Sequence, residues 1–291
     1  MTVFVEPEGW AVAMSLIFVF GLLVGSFLNV VIYRLPRSES VIRPGSRCPR
    51  CGKSLRPWQN IPVLSYAYQR GRCAHCGVAI SMRYPAVEIL TGCVFVALAW
   101  RLGIGFELGV WMGFAAALIA VSFIDMDHQI IPDEISLGGL VVGLLVFPVV
   151  KGLGGAPLGA EWGRALAGAL LGGGLLWSVG FLHARVSAGL GRHFDHWPGD
   201  GEAFPRPSSL DYWIWFPGLG FGDVKLLAMV GAFLGPLGVL ETVVVASVLG
   251  LGLGLLLAFR RGAKTPFGFG PAIAAAAVLV LLLPDDLLIV S

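Results

Sequence analysis

Phe123-Ile124-Asp125-Met126-Asp127-His128-Gln129-Ile130-Ile131-Pro132-Asp133 closes one long apolar run and opens the next. A second stretch, Gly220-Phe221-Gly222-Asp223-Val224-Lys225-Leu226-Leu227-Ala228, likewise sets a carboxylate at the edge of an apolar run. An Asp at a bilayer centre costs roughly 2.5–3.5 kcal/mol on insertion scales. A chain that carries this cost in two separate segments has reason to bring the two groups together. The expectation is a pair of aspartates at a membrane interface.

The composition supports a polytopic membrane protein. The chain is 56% hydrophobic and 13% charged, with mean hydropathy +0.82, whereas soluble domains run nearer 25% charged. Glycine, at 41 of 291 residues, suits helices that pack backbone to backbone in lipid. The first apolar run, 10–32, is preceded by Glu6 and Glu8 and lacks a basic n-region. It is expected to remain as a transmembrane helix rather than to be cleaved as a signal peptide.

Apolar runs place eight spans near 10–32, 85–102, 106–125, 135–150, 162–184, 223–236, 238–259 and 267–284. The short gap Gly235-Pro236-Leu237-Gly238 leaves a seven-span count as the rival. Lys and Arg crowd the segment from Arg34 to Arg83 and recur at Arg185, Arg192 and Arg206 and at Arg260, Arg261 and Lys264. By the positive-inside rule these loops are cytoplasmic. Both termini then face outward, which requires an even number of spans. The ends of the third span and the start of the sixth, with Asp125 and Asp223, come to the cytoplasmic side.

The basic loop holds Cys48-Pro-Arg-Cys51 and Cys73-Ala-His-Cys76, each followed by glycine, Gly52 and Gly77. Two C-x-x-C knuckles about 20 residues apart suit tetrahedral zinc. Disulfides are the alternative, and a reducing cytoplasm opposes them. Four thiolates leave no open position for water, so Cys48, Cys51, Cys73 and Cys76 are expected to hold a structural Zn2+. His75 is left outside the ligand set, and Cys93 reads as a small core residue within the second span. The expected organisation is residues 1–34 as the first transmembrane helix, 35–84 as a cytoplasmic zinc-binding lobe, and 85–291 as the remaining transmembrane bundle, with a long cytoplasmic loop near 187–217. That loop contains His193, Asp195 and His196, either a second metal site or part of an interfacial loop anchored by its tryptophans.

Among the carboxylates, Asp125 and Asp127 lie about 200° apart on a helix, so only one can face Asp223. Asp125 follows the apolar run directly and is the better partner. Asp133, after Pro132, is expected to cap the next helix. Lys225 reads as a headgroup contact. Two close carboxylates share one proton. The ionised one can take a proton from water while the neutral one polarises a carbonyl, which is aspartic-protease chemistry. No nucleophilic elbow is present.

Read together, these motifs resemble the bacterial prepilin peptidases, the type IV leader peptidases of the GxGD aspartic protease class. The resemblance covers nearly the full length. It is carried by Gly25-Ser26-Phe27-Leu28-Asn29-Val30-Val31-Ile32-Tyr33-Arg34-Leu35-Pro36, the paired knuckles, and Trp58-Gln59-Asn60-Ile61-Pro62-Val63-Leu64-Ser65-Tyr66. Arg83-Tyr84-Pro85 with Glu88, then Asp125, and then Gly220-x-Gly222-Asp223 complete it. The resemblance implies a bifunctional enzyme of the bacterial inner membrane. It implies cleavage of the basic leader of type IV prepilins and type II secretion pseudopilins after a glycine, with Asp125 and Asp223 as the catalytic pair. It further implies methylation of the new N-terminus with S-adenosylmethionine as donor. Glu88, an acid at a helix start, is a candidate to attract the new α-ammonium group during methyl transfer. Its alternative is a charge partner for Arg83 or Arg101. Prepilins, pseudopilins and membrane lipid are the expected partners, and nucleic acid is not. The long 187–217 loop is the departure from the family pattern. A proton-coupled transporter would show paired repeats and mid-membrane charges, which are not visible. A zinc-bearing membrane scaffold would use the aspartates only to join helices, and a prepilin cleavage assay separates it from the enzyme.

Overall fold

The computed structural model describes residues 7–190, 206–216, 219–261 and 268–283. The chain divides into two compact units, Met1–Ile130 and Ile131–Ser291. The described residues are helical apart from isolated bridges and turns.

In the first unit, α1 (Pro7–Arg34) is followed by the cysteine-bearing segment, which contains a short α2 (Leu64–Tyr68). Then come α3 (Arg83–Leu102) and α4 (Phe106–His128). At 1.5 Å per residue, α1 is about 42 Å long, more than a bilayer core requires. It lies on α3 along a seam of small residues. A Cβ added at Gly21 would stand 2.6 Å from the Gly92 Cα, and one at Gly25 would stand 2.6 Å from the Glu88 Cα. No side chain fits there, so the backbones touch. Lipid offers no hydrophobic drive for helices to associate, and such close approach supplies the dispersion contact instead. Phe20 against Phe95, with ring centroids 6.0 Å apart, continues the seam toward the other end of the pair. The Asn29 amide donates to the Tyr84 carbonyl at 3.0 Å and ties α1 to the start of α3. α4 ends at Gln129, whose left-handed backbone (φ 54°) lets its N–H reach the Asp125 carbonyl at 2.9 Å.

In the second unit, α5 (Asp133–Val141) runs through a widened π turn (Val142–Val146) into α6 (Phe147–Leu153). Pro148 has no N–H for the Leu144 carbonyl and its ring would crowd it, and widening the turn relieves both. α7 (Leu158–Gly189) is followed by a short α8 (Asp211–Ile214), then α9 (Phe221–Arg261) and α10 (Gly270–Leu282). α7 and α9 meet even more closely than the first pair. A Cβ at Gly168 would lie 2.1 Å from the Gly231 carbonyl oxygen, and one at Gly172 would lie 2.3 Å from that of Leu227. α5 packs on α9 where Gly139 meets Met229, and the π turn follows where Gly143 meets Phe233.

α9 is two helices joined at a break. Gly235 adopts φ 77°, ψ −177°, open only to glycine, and Pro236 follows it. Such a break frees carbonyls, which in an apolar setting must be satisfied. Arg164 of α7 donates to the Phe233 carbonyl at 3.1 Å and is itself paired with Glu161.

Among the described residues, six helices are long and apolar enough to cross a membrane: Gly9–Arg37, Arg83–Leu102, Phe106–His128, Asp133–Leu153, Leu158–Gly189 and Phe221–Leu255. α10 is apolar but shorter. The helices extend a few residues beyond the expected spans at most ends. α7 reaches Gly189, so the expected 187–217 loop begins inside a helix, and α8 lies within it. His193, Asp195 and His196 lie outside the described residues.

Candidate active site and metal centre

The two knuckles fold alike. In the first, the Gly52 N–H donates to the Cys48 carbonyl (2.9 Å) and the Cys48 N–H to the Lys53 carbonyl (3.0 Å). In the second, Gly77 donates to Cys73 (2.9 Å) and Cys73 to Val78 (2.9 Å). Gly52 (φ 69°) and Gly77 (φ 71°) hold the left-handed backbone that turns each loop back over its sulfurs. The four Sγ atoms all lie within 4.8 Å of one another, and Cys48 and Cys76 are 3.9 Å apart. Tetrahedral Zn–S bonds of about 2.3 Å place sulfurs about 3.8 Å apart, so the cluster fits zinc. All five cysteines are free. Without a cation the cluster cannot hold four anions. The His75 and Cys76 backbone N–H groups bring the Cys73 thiol down to about 7. The Val78 N–H acts in the same direction on Cys76, yet desolvation and the neighbouring sulfurs push that thiol up to about 11. A bound dication reverses this, because thiolates are its ligands.

Asp125 stands in the last turn of α4 and is 5% exposed. Asp127, two residues on, turns outward, and its side chain is 40% exposed. Arg83 of α3 forms an ion pair with Asp127 and donates to the Phe123 carbonyl at 3.0 Å, with its guanidinium over the Phe123 ring. Asp223 stands in the first turn of α9 and is 8% exposed. Its N–H donates to the Gly220 carbonyl at 3.0 Å. Gly222 is there because a Cβ would come within 3.0 Å of Ile131. Asp125 belongs to the first unit and Asp223 to the second.

Several side chains take partners that the sequence did not suggest. Asp133 is the first residue of α5, not its cap, which is Pro132; its carboxylate pairs with Lys225. Lys225 therefore has an ion partner rather than a headgroup role alone. Glu88 is buried in α3, where its Oε2 accepts the Val63 N–H at 2.7 Å and Ser26 bonds to the same carboxylate. Val63 (φ 60°, ψ −50°) centres a tight turn closed by the Leu64 N–H to the Pro62 carbonyl at 2.5 Å. A β-branched residue in that conformation is strained, and the buried carboxylate holds it there. Only the proline at 62 hinted at a turn; nothing local named its anchor.

The apolar helices and the cluster of four cysteines among the described residues are those of a polytopic membrane protein with a candidate metal centre. Residues 19–102 match the family model of the bacterial peptidase A24 N-terminal domain, and residues 112–255 match that of the type IV leader peptidase family. The chain belongs to the type IV leader peptidase family. It is 40% identical over 251 residues to a "Prepilin leader peptidase/N-methyltransferase" of Myxococcus xanthus, covering 86% of this chain and 64% of that protein. Proteins of the same name from Pseudomonas aeruginosa (35%, covering 92% of this chain and 89% of the relative) and Neisseria gonorrhoeae (32%, 94% and 92%) are also similar. No solved structure matches the chain.

Proposed function

We propose that this chain is a membrane aspartic endopeptidase that removes the basic leader of type IV prepilins and type II secretion pseudopilins after a glycine, then N-methylates the new terminus. The observation that carries this is the burial of one carboxylate at the end of each of two apolar helices, Asp125 on α4 and Asp223 on α9. The names of its relatives give the substrate class.

In this reading the two carboxylates share one proton. The ionised one takes a proton from water, and the resulting hydroxide attacks the scissile carbonyl carbon. The neutral one donates to the carbonyl oxygen, where charge develops. The tetrahedral intermediate collapses as the leaving nitrogen takes the proton gained from water. Burial excludes competing water and strengthens each of these interactions.

S-adenosylmethionine, when bound, supplies a methyl group activated by its sulfonium. A cavity of about 420 Å³ between α1 and the cysteine-bearing segment is within the usual range of roughly 300–1,000 Å³ for small ligands. Ser26, Arg34, Ser46 and Asn60 are its polar lining and would hold the donor. Ser26 also touches the Glu88 carboxylate, which suits Glu88 to attract an α-ammonium group nearby. The zinc lobe is a structural domain of residues 35–84, between a first helix (1–34) and the peptidase bundle (85–291).

For topology we assign eight crossings. The six long helices supply six, the break at Gly235 divides α9 into two, and α10 adds the last. The Lys and Arg distribution then puts the lobe and active site on the cytoplasmic face of the inner membrane and both termini in the periplasm.

Purified protein incubated with a prepilin, with and without S-adenosylmethionine, tests the assignment by N-terminal mass. Leader loss in both arms and one added methyl group in the second is expected. An intact prepilin in both arms would overturn it.

A further inference from the structure

A basic side chain outside the two aspartates grips the helix turn on which one of them stands. Arg83 reaches from the first turn of α3 to the last turn of α4. It takes two acceptors there, the Phe123 carbonyl at 3.0 Å and the Asp127 carboxylate. These residues lie two positions before and two after Asp125. The guanidinium plane also rests over the Phe123 ring, 4.9 Å from its centroid.

Arg83 is itself well held. Its N–H donates to the Ser81 hydroxyl at 3.2 Å, and the adjacent Tyr84 carbonyl is tied to Asn29 of α1. The α4 turn is therefore fixed against the α1–α3 pair, not left to fray as helix ends do. The cation also complements the partial negative charge of the helix C-terminus.

We propose that Arg83 is a positioning residue for leader cleavage: it fixes the terminal turn of α4, and through it the direction in which Asp125 points. This rests on the assignment of Asp125 as catalytic. A guanidinium bridges two acceptors with a rigid planar fork, whereas an ammonium is a compact point charge whose three donors rotate on a flexible stem. Arg83→Lys can keep the Asp127 pair but not the fixed geometry of the bridge.

The test is steady-state leader cleavage by Arg83→Gln, Arg83→Lys and Asp125→Asn beside the parent protein, with zinc content and melting temperature measured on each. Misplacing a catalytic group by about 1 Å costs on the order of 10²-fold in rate. Arg83→Gln should lose about that much in kcat, with KM within about twofold, and Arg83→Lys should fall between it and the parent. A parent-like kcat in Arg83→Gln, a rise in KM alone, or a parent-like Arg83→Lys would each overturn the proposal. Should Arg83→Gln lose zinc or fail to accumulate, Arg83→Lys decides by the same readout. Full activity in Asp125→Asn would instead remove the catalytic assignment itself. A dead Asp125→Asn beside an unaffected Arg83→Gln would reject only the role of Arg83.

Discussion

Asp125 and Asp127 share a helix turn and differ in almost everything that decides chemistry. Asp125 is buried; Asp127 is half in solvent and salt-bridged to Arg83. Asp125→Asn and Asp223→Asn are each expected to abolish leader cleavage while zinc stays bound, because the proposed mechanism has the two carboxylates share one proton. Losing one should cost nearly as much as losing both. Asp127→Asn keeps an amide oxygen for Arg83 and should retain more than about a tenth of the activity, because the Phe123 carbonyl still holds the turn. Cleavage by the three variants at equal membrane levels is the check, and a silent Asp127 variant beside an active Asp125 variant would exchange their roles. Glu88 allows a cleaner separation. Glu88→Gln keeps an acceptor for the Val63 N–H but removes the charge. Methylation should fall while cleavage persists; Glu88→Ala should impair both, because the turn at Val63 is released. Unchanged methylation in Glu88→Gln would end its proposed role.

At the scale of elements, backbone contact between helices sets the tolerance to change. Gly168→Ala would drive a methyl to 2.1 Å from the Gly231 carbonyl, and Gly25→Ala one to 2.6 Å from the Glu88 Cα. Backbone cannot yield as a flexible side chain can, so each is expected to cost at least about 1–3 kcal/mol of stability. Gly174, on the same helix as Gly168, meets nothing within 4 Å. Gly174→Ala should leave the melting temperature unchanged or raise it, as alanine is the better helix former. Comparable losses at both positions would refute the seam. Most helices were legible in the sequence because apolar runs of bilayer length leave few alternatives. The Gly235-Pro236 gap marked the break in α9 for a local reason, a missing N–H and a residue free to take positive φ. Paired side chains were harder. Lys225 and Asp133 are far apart in sequence, and no local pattern announces which exposed ion meets which. The cap expected of Asp133 failed because the helix begins one residue earlier: the Pro132 backbone is extended and its carbonyl accepts the Ser136 N–H, which makes Asp133 the first helical residue. The cysteine knuckles were readable because all their geometry is local.

For the whole molecule, orientation and metal content are the accessible tests. Impermeant thiol reagents should reach cysteines placed at either terminus in intact spheroplasts, and reach the 35–84 segment only after permeabilisation. Opposite labelling of the two termini would require an odd number of crossings. Freshly purified, reduced protein should carry about one zinc per chain. Cys48→Ser and Cys73→Ser should lose it, with faster amide exchange confined to residues 45–80. A metal-free preparation with full protection there would reject the structural zinc.

The seam between α1 and α3 sets how far that loss of metal spreads. To lay Gly21 and Gly25 on Gly92 and Glu88, the chain must close the connection between the two helices. Closing roughly 50 flexible residues costs about 3.5 kcal/mol, by the logarithmic dependence on loop length. Crosslinking the knuckles shortens the free chain to roughly 20 residues, and the cost falls to about 2.7 kcal/mol. The difference, about 0.8 kcal/mol, is small beside the contact of two long helices in lipid. Chelation should therefore melt the lobe and leave the helix pair assembled, with nearly all of the far-UV helical signal intact.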